Sequence, residues 1–307
     1  MQKQQTTVLH GAAKDVPTIV AQACSKVSRF LELIQEMEKS ITVEGKSWST
    51  YDNYSRHLAH LVLHYNQFPL DLSAVQVTDY LYLLKTTKGV SKSFFRFTVF
   101  GMRYACKMRG LPYELYRLPK IKHEEKLPEV LNRSEMKRLL EAHRSLKRKL
   151  IVGLLYGCGL RISELRHMDV SHLDLERAMV HVHNGKGSKD RCLPLGIMLT
   201  RALKTYLAAF NPVKYLFENE DDTMVSLPYI EGTIKKAAAK AEIAKSVHAH
   251  TLRHCYATHL LEQGTIITTI QKLLGHKRLE TTLRYLHVIP PADSKVVNPM
   301  DALYGQQ

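Results

Sequence analysis

His250 and Arg253 stand three residues apart in HTLRHCYATHLLEQG, residues His250–Gly264. On a helix this spacing puts both side chains on one face, so an imidazole and a guanidinium address the same small volume. Such a pair suits a phosphodiester: the guanidinium clamps two oxygens at once, while the imidazole donates to or accepts from another atom. A solvated helix face has the same spacing, so the pair alone assigns nothing. His250 and His254, at i and i+4, also have a spacing that can chelate zinc, and His181 with His183 and His248 with His250 are the other metal-like pairs. The segment offers only Cys255 and the distant Glu262 as further ligands. It therefore reads as a polar, partly exposed helix face and not as a metal centre. GxxxxGK[ST] is absent, so ATP-driven chemistry has no phosphate loop, and GxGxxG, GxSxG and HExxH are missing too.

Four other blocks accompany this one: GLRISEL (Gly159–Leu165), GKGSKDR (Gly185–Arg191), LLGH (Leu273–His276) and TTLRYLHV (Thr281–Val288). Any single block could arise by chance, but all five occur in a consistent order. Together they resemble the signature of the tyrosine recombinase, or phage integrase, family, over about residues 131–288. The first half is similar, with much less specific motifs, to the family's core-binding domain.

The resemblance implies a role for each matching residue. Arg161 and Arg253 would hold the non-bridging oxygens of a scissile phosphate and neutralise the charge of a pentacoordinate transition state. Tyr285 would attack phosphorus in line, leaving a 3′-phosphotyrosyl link and a free 5′-hydroxyl. Lys186 would protonate the departing 5′ oxygen, with Lys189 as the rival for that role. His250 would assist proton transfer at the tyrosine or hydrogen-bond the phosphate, because a phenol with an ordinary pKa of about 10 needs help to become nucleophilic at neutral pH. His276 would donate to a phosphate oxygen, and Glu164 would position its neighbours. A covalent phosphotyrosine conserves the energy of the broken diester, so no cofactor or metal is implied. The implied partner is double-stranded DNA at paired recombination sites, bound by a homotetramer with a cytoplasmic, nucleoid-associated location.

Each residue has a plainer reading: Arg161 as a helix-start salt bridge, His276 as a capping residue, Tyr285 as a core aromatic beside Leu283 and Leu286. Other functions with overlapping residue sets are a type IB topoisomerase, a binding-only accessory protein and a metal-dependent phosphohydrolase. The complete residue set and the helical first half favour the recombinase.

The elements that must position these residues follow from the rest of the chain. In the second half a Ser134-capped helix, an apolar helix LKRKLIVGLLYGCG and a helix holding Ser163, Glu164 and Leu165 come first. Alternation in AMVHVHNGKGSKDRCLPL around Asn184-Gly185 predicts a hairpin. Helices over TRALKTYLAAF and YIEGTIKKAAAKAEI follow, then two from Thr251 to about Gln263 and from Thr268 to Leu274, with Gly264 and Gly275 at their C-terminal ends. The first half predicts four amphipathic helices, one running from Ile19 through Ile34, one around Tyr51–Tyr65, one capped by Thr78 and one begun by Ser91 and stopped at Gly110.

LPYELYRLPKIKHEEKLPEVL carries Pro112, Pro119 and Pro128, which block helix propagation, and predicts a linker. The expected organisation is a helical core-binding (SAM-like) bundle over 1–110, a linker over 111–128, an α+β catalytic domain with a small antiparallel sheet over 129–290, and a tail over 291–307. Pro290 and Pro291 stop any helix leaving the tyrosine directly, and Val296, Val297, Met300, Leu303 and Tyr304 offer an apolar anchor for docking in trans.

Bulk properties agree with this organisation. The 307 residues amount to roughly two domains, and 45% hydrophobic content supports sizeable cores. No apolar run approaches the roughly 18 residues of a membrane span, and the N-terminus lacks the pattern of a secretory leader. Five scattered cysteines without a CxxC read as reduced thiols. The net charge is +15, with 18 Lys and Arg against 11 Asp and Glu up to Lys126 and 26 against 18 after it, so the halves carry +7 and +8. Excess positive charge in both halves suggests two surfaces facing one polyanion.

Overall fold

The computed structural model describes residues 19–121, 129–183 and 190–288. The chain divides into two compact units, Met1–Glu124 and Glu125–Gln307. Among the described residues no helix is long and apolar enough to cross a membrane.

The first unit is helical: α1 (Ile19–Lys26), α2 (Ser28–Val43), α3 (Trp48–Tyr65), α4 (Ala74–Thr86) and α5 (Lys92–Met108). The single helix expected from Ile19 to Ile34 is two, because Val27 adopts an extended conformation (φ −131°, ψ 96°) between them. Side-chain caps start the later helices. Ser47 accepts from the Thr50 amide and Ser91 from the Phe94 amide, as expected for the latter. The cap of α4 is Ser73 and not Thr78: Ser73 and Gln76 exchange side-chain and backbone hydrogen bonds in a capping box, while the Thr78 hydroxyl donates to the Ala74 carbonyl inside the helix. Phe30, Leu33 and Met37 of α2, Leu58 and Leu61 of α3, and Val99 and Met102 of α5 share one buried core.

Residues 111–121 of the expected linker pack on this same core. Tyr113–Tyr116 form a 3₁₀ turn, the Tyr116 hydroxyl donates to the Leu70 carbonyl at 2.6 Å, and Arg103 donates to the Pro119 carbonyl at 2.8 Å. Proline therefore stops the helix here without freeing the chain, because Tyr116 and Leu118 bury their apolar side chains. Residues 122–128 lie outside the described ones.

The second unit holds α6 (Arg133–Glu141), α7 (Leu146–Gly157), α8 (Ile162–Arg166), β1 (Leu173–Asp174), β2 (Met179–Val182), β3 (Arg191–Pro194), α9 (Ile197–Phe210), α10 (Leu227–Lys240), α11 (Ala249–Glu262), α12 (Ile267–Leu274) and α13 (Glu280–Leu283), and a 3₁₀ turn over Arg284–Val288 follows. Asn132, not Ser134, caps α6: its side chain accepts from the Glu135 amide, and the Glu135 carboxylate accepts from the Asn132 amide. Ser134 instead donates its hydroxyl to Asn132 Oδ1. The three strands form an antiparallel sheet in the order β1-β2-β3, with Val180 opposite Leu193 and Val182 opposite Arg191. This is the expected hairpin, although its turn, Asn184–Lys189, lies outside the described residues.

The core gathers Leu150–Leu155 of α7, Leu203 and Tyr206 of α9, Ile230 and Ile234 of α10, Val180 and Leu193 of the sheet, and Leu252 and Cys255 of α11. The face of α11 that carries His250 and His254 is polar and partly exposed, as expected, with His250 exposed and His254 half-buried. The rest of the helix from Thr251 to His259 is buried. Several of its polar groups find partners on other segments: His259 meets the Tyr156 hydroxyl and the Leu131 carbonyl, and the Leu131 amide donates to Cys255 Sγ at 3.2 Å, while Thr258 Oγ1 and Arg253 Nε are buried without a hydrogen bond among the described residues. The helix thus sits in the middle of the unit, which fixes its few reactive side chains rigidly. The expected tail over 291–307, with its docking in trans, lies outside the described residues.

Candidate active site

Three arginines distant in sequence converge on the C-terminal end of α12. The last carbonyls of a helix lack intrahelical partners and carry its negative dipole end, so they attract cations. Here Arg191 Nε donates to the Leu273 carbonyl at 2.8 Å, Arg253 Nη2 to the Leu274 carbonyl at 2.5 Å, and Arg161 Nη2 to the Gly275 carbonyl at 3.3 Å. Gly275 ends α12 in the left-handed region (φ 63°), and a Cβ there would press on the Arg191 side chain at 3.3 Å.

The other support is Glu164. It accepts from Arg161 Nη1 at 2.6 Å and from both Nη atoms of Arg191, at 3.0 and 2.8 Å, while Arg253 Nη1 stands 4.0 Å away. Arg161 is the residue before the first turn of α8, so its backbone amide also donates to Glu164, at 2.8 Å. Burial opposes ionisation of Glu164, but the Arg191 hydrogen bond, the Arg161 amide and the two guanidinium charges outweigh it and hold the carboxyl below its usual range. Glu164 therefore positions arginines, and the salt bridge at a helix start is real as well.

Arg253 rises from the middle of α11 and is 1% exposed. Its Nη1 donates to the Gly159 carbonyl at 2.6 Å. That carbonyl is presented by a left-handed turn at Gly159 (φ 58°), where a Cβ would lie 2.3 Å from the Tyr256 ring. Burial first, and then the charge of Arg161, pushes Arg253 down to about 10, still cationic at neutral pH. Among the described residues Arg161, Arg191 and Arg253 gather on the Glu164 carboxylate, an excess of positive charge that favours an oxyanion.

Removing the carboxylate exposes what it does. In Glu164→Ala the buried Arg191 guanidinium loses the carboxylate it is paired with at 2.8 Å, and loss of one partner of a buried pair costs about 3–5 kcal/mol. Chemical denaturation of parent and variant checks this at neutral pH. Because folding depresses the Glu164 pKa, its contribution is present above the unfolded value and lost as pH falls through the folded one. The stability gap between parent and variant narrows below pH 4.5, the ordinary carboxyl value.

Tyr285 lies in the 3₁₀ turn after α13 and is 3% exposed, packed with Tyr256, Ala257, Ile270 and Leu274. It is thus a core aromatic and a candidate nucleophile at once. Burial pushes its phenol up, while the charges of Arg253, Arg284 and Arg161 pull it down, the net being a raised pKa. Its hydroxyl meets His254 Nδ1 at 3.1 Å. His276 lies nearly parallel to the phenol ring (10°, centroids 6.5 Å apart), and its Nδ1 is in contact with the Thr282 hydroxyl at 3.0 Å. Burial, together with Arg253 and Arg161, pushes His276 down to about 3, so it is neutral at physiological pH. His250, on the exposed side of the first turn of α11, packs its ring edge-on against His254 at 4.3 Å. Desolvation by its neighbours, then the charges of Arg253, His248 and Arg161, lowers its pKa.

The structure brings together Arg161, Glu164, His250, Arg253, His276 and Tyr285 in the second unit. Lys186 and its rival Lys189 lie outside the described residues. Two members of the cluster escaped sequence reasoning. Arg191 closes the GKGSKDR block and sits at an inward register position opposite Val182, so strand alternation already marked it as a buried charge. His254 shares a helix face with His250, a spacing read above only for metal.

Comparison with known proteins identifies the class. The phage integrase family model matches residues 129–290, and the chain belongs to that family, the tyrosine recombinases, which are enzymes that cleave and rejoin DNA. The chain is 35% identical over 263 residues to a tyrosine recombinase XerA of Thermococcus kodakarensis, covering 84% of this chain and 91% of that one. It is 35% identical over 297 residues to a tyrosine recombinase XerD of Staphylococcus saprophyticus, covering 87% and 97%. The fold is similar, with a TM-score of 0.66 at 20% identity, to the XerH site-specific recombinase bound to a palindromic difH substrate, over 94% of this chain and 88% of that one.

Proposed function

We propose that the chain is a site-specific recombinase in which Tyr285 cleaves one strand of duplex DNA and holds its 3′ end as a phosphotyrosine. The observation that carries this reading is Tyr285 lying within the field of Arg253 and Arg161, which together with Arg191 share the Glu164 carboxylate. Arg161 and Arg253 hold the non-bridging oxygens of the scissile phosphate, and their charge offsets what builds up in the pentacoordinate transition state. His276, neutral and fixed beside the phenol, donates a ring N–H to a phosphate oxygen, and His250 lines the approach to the same phosphate. Lys186, in the segment between β2 and β3, protonates the leaving 5′ oxygen. The diester energy is kept in the phosphotyrosine, and resealing needs neither ATP nor metal.

The substrate is double-stranded DNA, as the relatives' names and the positive charge of both halves support. Exchange between two sites requires four cleavages, so four copies assemble on paired sites, with the residues after Pro291 docking into a neighbouring copy. Duplex affinity falls steeply with salt as phosphate neutralisation releases counterions.

The test is covalent trapping. Genomic DNA fragments are incubated with the protein, denatured and stripped, and the retained junctions and the DNA-bearing peptide are sequenced. The expected result is a unique family of sites joined through a 3′ phosphate to the peptide containing Tyr285. A 5′ linkage, or attachment to another residue, overturns the reading.

A further inference from the structure

We propose that His254 is a catalytic residue that accepts the phenolic proton of Tyr285 as its oxygen attacks phosphorus. The inference rests on Tyr285 being the nucleophile and says which group activates it. Among the described residues His254 is the side chain whose polar atom meets the phenol, at 3.1 Å with ring centroids 5.5 Å apart. His250, the imidazole that the motif suggests for this task, packs against the His254 ring. His276 has its Nδ1 engaged with the Thr282 hydroxyl, and no hydrogen bond joins its ring to the phenol.

The direction of the hydrogen bond follows from burial. A phenol that is 3% exposed leaves its proton unsatisfied unless it donates, at a cost of about 1–3 kcal/mol, so Tyr285 Oη donates and Nδ1 accepts. That arrangement needs a neutral imidazole protonated on Nε2, and the surroundings enforce neutrality. Burial, with the charges of His250, His248 and Arg253 on α11 and of Arg284 on the turn that carries Tyr285, pushes His254 down to about 4.

A phosphodiester held by Arg161 and Arg253 brings a negative charge into the same volume and offsets those cations. His254 thereby gains basicity when substrate is bound and not before. In the cleavage step the Tyr285 Oη–P bond forms, the P–O5′ bond breaks, the phenolic proton passes to His254 Nδ1, and the 5′ oxygen takes a proton from the general acid. In rejoining, the imidazolium returns its proton to the departing phenolate. The helix supports this role because α11 is buried around its middle and holds the imidazole on a rigid element.

The experiment measures single-turnover formation of the covalent complex from pH 5.5 to 9.5. The substrate is a nicked duplex built on a trapped junction, and parent, His254→Asn, His254→Gln and Tyr285→Phe proteins are compared. Asn and Gln retain an acceptor oxygen but take no proton at these pH values. The expected result is duplex binding like the parent's, with cleavage reduced about 10²–10⁴-fold at neutral pH. The rate of both His254 variants then climbs about tenfold per pH unit towards the phenol's own pKa, while the parent levels off. A parent-like rate, or a reduction of the same factor at every pH, overturns the role, the second outcome marking His254 as structural. Tyr285→Phe is the separate control: adduct formation by that variant overturns the nucleophile itself, whereas its silence with unaltered His254 variants overturns only the base.

Discussion

Tyr285→Phe is expected to bind duplex DNA with the parent's affinity and to form no covalent complex, the cleavage rate falling by on the order of 10⁴-fold or more, as deletion of a nucleophile does elsewhere. The substitution removes one oxygen and leaves the ring. Its packing against Tyr256, Ala257, Ile270 and Leu274 is therefore kept, and the apolar contacts that hold the 3₁₀ turn on α11 and α12 are unchanged. The one lost interaction is the hydrogen bond to His254, which is neutral and half-buried, so the stability change stays within about 1 kcal/mol. Chemistry and folding are therefore separable at this position. Denaturing gels with a nicked duplex, read beside a thermal melt, give both quantities. Adducts from the phenylalanine protein refute the assignment of the nucleophile.

Arg253→Ala has the next largest effect, and there chemistry and stability fall together. Loss of a preorganised donor to a developing oxyanion costs on the order of 10²–10³ in rate. The same substitution leaves the carbonyls of Gly159 and Leu274 without their partner, at about 1–3 kcal/mol for each buried group, so the midpoint of unfolding falls as well. Arg253→Lys separates the two contributions. An ammonium keeps the charge but is a single point and not a fork, so it reaches one of the two carbonyls and one phosphate oxygen. Cleavage at saturating duplex is expected to stay about 10²-fold below the parent in the lysine protein while much of the stability returns. Cleavage within tenfold of the parent would mean that Arg253 only braces the turn at Gly159 and the end of α12.

Much of the fold is legible in the sequence because its signals are local. The capping serine of α5, the left-handed glycine that ends α12 and the alternation through β2 and β3 each depend on a few consecutive residues, and each appears where expected. The caps assigned to Thr78 and Ser134 were displaced because a reciprocal capping box, Ser73 with Gln76 and Asn132 with Glu135, satisfies two amides where a lone hydroxyl satisfies one. Burial of the rest of α11, away from the His250 and His254 face, was not legible. A helix buried over most of its surface shows little apolar stripe, and its histidines and arginine make it look solvent-facing until their partners on other segments are known.

By itself the sequence determined the family and the set of groups proposed for phosphoryl transfer, because five short blocks carry them in a consistent order. Only the tertiary structure decided how those groups are arranged. Arg161 reaches Gly275 across 114 residues, Arg191 reaches Leu273 across 82, and His254 meets Tyr285 across 31. No helical or strand period extends over such separations. What selects these partners is the cost of burying a cation, carbonyl or hydroxyl without a complement once the core has closed, and that cost exists only in the folded chain.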